Sequence, residues 1–282
     1  METKISSLSK EVTIGTGLPT ILIGERINPA GKKSMAEALK AGDFEIVRTE
    51  AIAQTQAGAD IIDVNTTIFG GDETSILPKA VKIAMETVDT PLCIDSANPA
   101  ALEAALKIYK GKPLINSVTG EEKSLATVLP LVKKYNAAVI GLTQDDEGIP
   151  TNAERRVAIA HKIVERAEKS GISRDNIVID CLALAIGANP VSGLLATETA
   201  SRIKAELGVN ITVAVSNISF GMPDRSLINF AFASAMISAG ATCLIVDVAK
   251  LRPIVLASDL VMSYDKRARR YIDAFRELQK QQ

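Results

Sequence analysis

The sequence holds one histidine, His161, and three cysteines, Cys93, Cys181 and Cys243, in 282 residues. There is no CxxC pair, so a transition-metal site built from protein ligands is not expected. The cysteines are odd in number, far apart and set in apolar segments, which predicts free core thiols rather than disulfides. His161 lies in "RRVAIAHKIVERAEK", whose apolar spacing is helical, and reads as an ordinary helix residue. No Lys/Arg block is long enough to track a phosphate backbone, and 32 basic residues against 33 acidic ones leave a charge near zero. Nucleic acid is therefore not the expected partner. No apolar run approaches the about 18 residues a membrane span needs. The opening "METKISSLSK" lacks a signal-peptide core. The expectation is a soluble cytoplasmic protein with no membrane partner.

What is present is repetition. Short apolar runs occur at "TILIGERIN" (20–28), "DIIDVN" (60–65), "PLCIDSAN" (91–98), "PLINSVTG" (113–120), "AAVIGLTQDD" (137–146), "NIVIDCLA" (176–183), "ITVAVSNIS" (211–219) and "TCLIVDVA" (242–249). Between them lie helix-length stretches with three-to-four-residue apolar spacing, such as "NPAALEAALKIYKG" and "DRSLINFAFASAMISAGA". Near-continuous apolar strands imply burial on both faces and a parallel sheet. Eight βα units fit a single-domain (β/α)8 TIM barrel over residues 20–282, behind an N-terminal extension of residues 1–19.

Most runs end in polar residues: Glu25, Arg26 and Asn28; Asp63 and Asn65; Asp95, Ser96 and Asn98; Asn116; Asp180; Ser216 and Asn217; Asp247. In a (β/α)8 barrel these ends converge on one mouth, where active sites of this architecture sit. Asn98, ahead of Pro99, reads as a helix cap. Arg26 is the main basic candidate before the loop that carries Arg225. The Gly70-Gly71 pair lacks a phosphate-loop context. A carboxylate can accept an amine and a ring N–H side by side in a fork, and Asn offers both donor and acceptor, so the mixture suits a neutral, donor-rich heterocycle such as an amino-oxo-pyrimidine.

"LIGERIN", "IDVN", "CIDSAN", "LINSVTG", "VIGLTQDDEGIP", "VIDCLA" and "VSNISFGMPDR", in this order over residues 22–225, resemble the pterin-binding methyltransferases. These include methyltetrahydrofolate:corrinoid protein methyltransferases, the folate module of methionine synthase and, more distantly, dihydropteroate synthase. The resemblance implies a homodimeric barrel with tetrahydrofolate or 5-methyltetrahydrofolate as substrate at the mouth. The cobalamin would be carried by a separate corrinoid protein. It implies pterin contacts for Asp95, Asn116 and Asp180, the last as the fork acceptor, and places Asn217 near N5, where the methyl group is exchanged. Asn217 and Asp180 are then the catalytic candidates. Glu25, Asn28, Asp63 and Asn65 match further motif positions, and Arg225 and Asn229 are candidates from the mouth loop. A synthase would need an Arg-His pair after the last strand; here that strand gives "LIVDVAKLRP", so synthase activity is not expected.

The implied reaction is SN2 methyl transfer between N5 of tetrahydrofolate and corrinoid cobalt. Transfer from methylcorrinoid to tetrahydrofolate in a demethylation pathway is the favoured direction. The alternatives are methylation of a corrinoid iron-sulfur protein in the acetyl-CoA pathway, or a non-catalytic folate module that docks a corrinoid protein. The run "QDDEGIP" reads as a surface loop, and "DKRARRYIDAFRELQKQQ" as a solvated last helix.

Overall fold

The computed structural model describes residues 1–68 and 70–280. The chain opens with an antiparallel hairpin, β1 (Glu2–Ser6) and β2 (Glu11–Gly15). Eight parallel strands follow: β3 (Ile21–Ile27), β4 (Ile61–Asn65), β5 (Leu92–Asp95), β6 (Leu114–Thr119), β7 (Ala138–Leu142), β8 (Ile177–Asp180), β9 (Asn210–Thr212) and β10 (Cys243–Val246). Each pairs with its successor from β3 to β9, and β10 pairs with β3. Between β9 and β10, Thr242 N–H donates to Ile211 O (2.9 Å) and Ile245 N–H to Val213 O (3.1 Å), which nearly closes the barrel. The (β/α)8 architecture expected from the eight runs is the one observed.

The helices that cover the strands are α1 (Lys33–Ala41), α2 (Glu45–Gln56), α3 (Glu73–Thr87), α4 (Pro99–Leu106), α5 (Glu122–Lys134), α6 (Ala153–Lys169), α7 (Ser192–Glu206), α8 (Arg225–Ala239) and α9 (Val248–Val261), with α10 (Arg269–Lys280) closing the chain. Asn98 caps α4 as expected: its Oδ1 accepts from Ala100 N–H (3.0 Å) and Ala101 N–H (3.5 Å), with Pro99 in the first turn. Among the described residues no helix is long and apolar enough to cross a membrane.

The side-chain period of two along a strand sorts the apolar residues into two cores. Leu22, Ile62, Ile94, Ile115 and Ile179 pack with the helices. Ile23, Ile61, Cys93, Leu114, Val178 and Ile245 face the barrel axis, and there Ile5, Val12 and Ile14 of the hairpin join them. Asn210, the first residue of β9, donates from Nδ2 to Thr3 Oγ1 (2.8 Å) and Ile14 O (3.0 Å), fixing the hairpin at the N-terminal end. Ser6 and Lys112 exchange backbone hydrogen bonds of 2.9 and 3.0 Å. Gly111 makes that approach possible: its φ is +129°, and a Cβ there would lie 2.2 Å from Ser6 O. The first 19 residues are thus a plug sharing the barrel's inner core, and not only an extension in front of it.

Candidate functional site at the C-terminal mouth

The parity that turns Ile23, Ile61, Cys93, Leu114 and Val178 inward carries on to the strand ends. Two residues beyond each stand Glu25, Asp63, Asp95, Asn116 and Asp180, and Asn65 lies two beyond Asp63. Six of the residues expected at the site therefore share one mouth because the strands are parallel and pleated.

Asn65, Asp95 and Asn116 are register partners across β4, β5 and β6. Asn65 donates from Nδ2 to Asp95 Oδ2 (2.8 Å), and its Oδ1 accepts from Thr67 N–H (2.8 Å). Asn116 Nδ2 donates to Asp63 Oδ1 (3.2 Å). Asp63 lies one layer deeper, in register with Cys93 and only 3% exposed. Burial, then the neighbouring Asp95 charge, push its carboxyl well above the usual range. Asp95 is raised as well, chiefly by burial, with the Asn65 hydrogen bond opposing. Two neighbouring carboxyls at this depth do not both ionise readily, and burial raises both.

Asp180 ends β8, in register with Leu142 of β7 and Thr212 of β9. Its Oδ1 accepts from Leu182 N–H (2.7 Å). Burial lifts its pKa to about 7, against the pull of that hydrogen bond and of the Arg156 charge. Glu25 Oε2 accepts from Ser216 Oγ–H (3.0 Å). Burial raises Glu25, the Ser216 hydrogen bond opposes, Asp247 adds to the rise, and Lys32 and Arg225 lower it. Asn217 sits on a short 3-10 helix after β9, Val215–Ser219, and is exposed at the mouth.

Asn28 and Arg225, two of the expected site residues, have other engagements. Asn28 Oδ1 accepts from Ala30 N–H (2.9 Å), a local turn. Arg225 donates from Nε to Ser219 Oγ (3.0 Å) and from Nη2 to Ser216 O (2.8 Å), with its guanidinium 5.9 Å from the Phe220 ring centre. It braces the 3-10 helix that carries Asn217. Asn229 has a buried, unpartnered Oδ1 among the described residues. Arg26, read from sequence as the main basic group of the mouth, faces α2 instead: it forks onto Glu50 (2.9 and 2.8 Å) and lies 3.7 Å from Asp247. Strand parity explains the difference, since Arg26 is one residue out of phase with Glu25.

Other expectations hold. The three cysteines are free and buried. His161 Nε2 lies 3.0 Å from Glu206 Oε2 on the outer surface between α6 and α7. In the acidic run after β7, Arg155 takes up Asp145 (3.0 Å) and Glu147 (2.5 Å), leaving Asp146 exposed. Two features were not foreseen: the hydroxyl of Ser216 on Glu25, and Arg156, fully buried behind Asp180. A cavity of about 510 Å3 at the opposite end, lined by Leu8, Met85, Val88, Ile108 and Tyr109, contains none of the inward acids.

The mouth is rich in acceptors answered by amides, a hydroxyl and a backbone N–H. At the end of β10 stands Asp247, engaged by Lys250 at 3.2 Å and by Arg26. A planar neutral ring with adjacent N–H donors fits such a surface, and a polyphosphate does not.

Residues 24–247 match the family described as pterin binding enzyme. Over 272 residues the chain is 33% identical to the methylcorrinoid:tetrahydrofolate methyltransferase of Eubacterium limosum, spanning 91% of this chain and 96% of that protein. It is 31% identical over 299 residues to the methionine synthase of Mycobacterium tuberculosis (strain ATCC 25618 / H37Rv), covering 98% of this chain but 25% of that protein. The fold matches Xanthomonas albilineans dihydropteroate synthase with 4-aminobenzoic acid at a TM-score of 0.72 and 18% identity, over 92% of this chain and 98% of that one. That last likeness concerns the fold alone.

Proposed function

The chain belongs to the pterin-binding enzyme family, and on that footing we propose that it transfers a methyl group between the cobalt of a corrinoid held by a partner protein and N5 of tetrahydrofolate. The carrying observation is the inward ring itself: Asp95 is half-buried and Asp180 buried, and their neighbours are Asn65 and the Leu182 amide, so acceptor capacity remains for a ligand's N–H groups. In this reading Asp180 takes the exocyclic amine and ring N–H of the pterin in a fork. Asp95 and Asn116 meet the reduced ring, Asn65 and Asp63 order them from behind, and Glu25 holds Ser216 of the helix that carries Asn217.

Asn217 works at N5. In the direction from methylcorrinoid to tetrahydrofolate, the N5 lone pair forms a bond to the methyl carbon as the cobalt–carbon bond breaks. The electron pair of that bond stays on cobalt as Co(I), and N5 then sheds its proton. The Asn217 carboxamide can accept the N5 proton's hydrogen bond, or rotate and donate, so it follows N5 through its change of charge. The remaining acceleration comes from alignment and fixed dipoles. The direction follows the curated relative of similar length, and a homodimer remains part of the proposal, open to sedimentation analysis.

The test is anaerobic incubation with tetrahydrofolate and methylcobalamin or a methylated corrinoid protein, following Co(I) absorbance and methyltetrahydrofolate together. Both should rise in step. Tight folate binding with no transfer in either direction would leave a folate-binding module instead of an enzyme.

A further inference from the structure

Arg156 is a charged side chain with no exposure, set on the apolar stripe of α6 beside Val157, Ala160 and Ile163. A buried guanidinium is costly unless its donors are met. Its Nε donates to Pro150 O (2.9 Å) and its Nη1 to Cys181 O (2.8 Å) and Leu182 O (2.6 Å), while its Nη2 has no partner among the described residues. Those carbonyls belong to two mouth loops, the one after β7 and the one after β8. Leu182 has φ +53°, a conformation that a side-chain-bearing residue keeps only when its surroundings fix it. It is the N–H of this same Leu182 that donates to Asp180 Oδ1 at 2.7 Å.

We propose that Arg156 is a positioning residue for the pterin carboxylate: it clamps the 181–182 turn that orients Asp180, and its charge favours the ionised Asp180 that receives the ligand's donors. The inference rests on the reading of Asp180 as the fork acceptor. The titratable groups that act on Asp180 are Arg156 from α6, Cys181 from its own loop and Cys243 from β10. Burial pushes the Cys181 thiol far up and the Cys243 thiol to about 12, so both stay neutral. β7 and β9 present Leu142 and Thr212 in register, neither of them charged. Arg156 is then the one charge among these groups that can balance the carboxylate.

Tetrahydrofolate affinity measured by calorimetry between pH 6 and 9 tests this, using wild type, Arg156→Gln and Arg156→Lys, each checked for folding by circular dichroism. Arg156→Gln should bind about fivefold more weakly at pH 7 and about tenfold more weakly at pH 6, the effect of raising a carboxylate of pKa about 7 by one unit, with the deficit closing as pH rises. Arg156→Lys, which keeps the charge, should restore the wild-type pH profile. A loss of equal size at every pH, or no loss, in folded Arg156→Gln overturns the proposal. If that variant does not fold, the Arg156 Nε–H resonance of 15N-labelled wild type serves: it should move with pH through the ionisation of Asp180, and a resonance that stays fixed overturns the proposal. A wild type that binds no tetrahydrofolate sinks the functional reading instead, and the resonance still reports the link between Arg156 and Asp180.

Discussion

Asn65 and Asp95 end adjacent parallel strands in direct register, and the carboxamide nitrogen of the first stands 2.8 Å from a carboxylate oxygen of the second. A neutral donor steadies the anion without a counter-charge, so Asp95 keeps acceptor capacity for a ligand. Hydrogen bonds to charged groups contribute roughly 1.5–3 kcal/mol. Asn65→Ala should therefore weaken tetrahydrofolate binding by about tenfold or more, and Asn65→Asp, which adds a like charge, by more still. Calorimetry on the folded variants decides; unchanged affinity in both would detach Asp95 from the pterin.

The second prediction concerns pH. Burial raises Asp180 to about 7. Its contribution to folding stability is therefore complete at pH values below the unfolded aspartate value and is lost as pH rises through about 7. With Asp180 as the proposed fork acceptor, pterin binding needs the ionised form and runs the other way, strengthening with pH over the same interval. Compared with Asp180→Asn, which cannot ionise, the wild type should lose thermal stability and gain affinity between about pH 5 and 8. Below that limb, binding should release a proton, visible as a dependence of calorimetric heat on buffer ionisation enthalpy. Parallel stability curves for the two proteins, with a flat affinity profile, would remove Asp180 from the ligand's reach.

The third prediction tests the hairpin. Ile14 is fully buried in the inner core, and Asn210 holds its carbonyl. Truncating a large aliphatic residue at such a site costs roughly 2–5 kcal/mol. Ile14→Ala should lower the unfolding midpoint of the whole barrel in one transition. A variant as stable as wild type, or a separate early transition for the hairpin, would mean that the plug and barrel are independent.

Strand periodicity and parallel burial made the barrel legible, and the same parity put Glu25, Asp63, Asp95, Asn116 and Asp180 on one side of it. The hairpin was not legible, because "ETKIS" and "EVTIG" alternate as a surface ribbon would. Their inward residues gain meaning only from the barrel end they close. The engagements of Arg26 and Arg225 were not legible for a related reason: a cation near a strand end can turn to a helix or brace a loop, and its partners Glu50, Ser216 and Ser219 are distant in sequence or unremarkable beside it. Arg156 did leave a trace. It falls three residues after Ala153 and four before Ala160, on the stripe α6 buries, where an arginine is out of place unless the fold answers it.

The last prediction separates binding from turnover at Asn217. This residue is exposed on a 3-10 helix that Arg225 braces through Ser216 and Ser219, while Asp95, Asn116 and Asp180 sit deeper in the barrel. In the proposed reading those three hold the ring without Asn217, whereas N5 changes charge during transfer and needs a partner able to donate or accept. Asn217→Ala should therefore slow methyl transfer by about a hundredfold, the scale of a lost hydrogen bond to a charge developing in the transition state, while tetrahydrofolate affinity falls by less than about tenfold. Arg225→Gln, which loosens the helix but keeps the amide, should give a smaller fall in rate that extra corrinoid does not repair. Single-turnover kinetics with saturating pterin reads both; equal losses of rate and affinity in Asn217→Ala would make it a binding residue and return the charge at N5 to solvent.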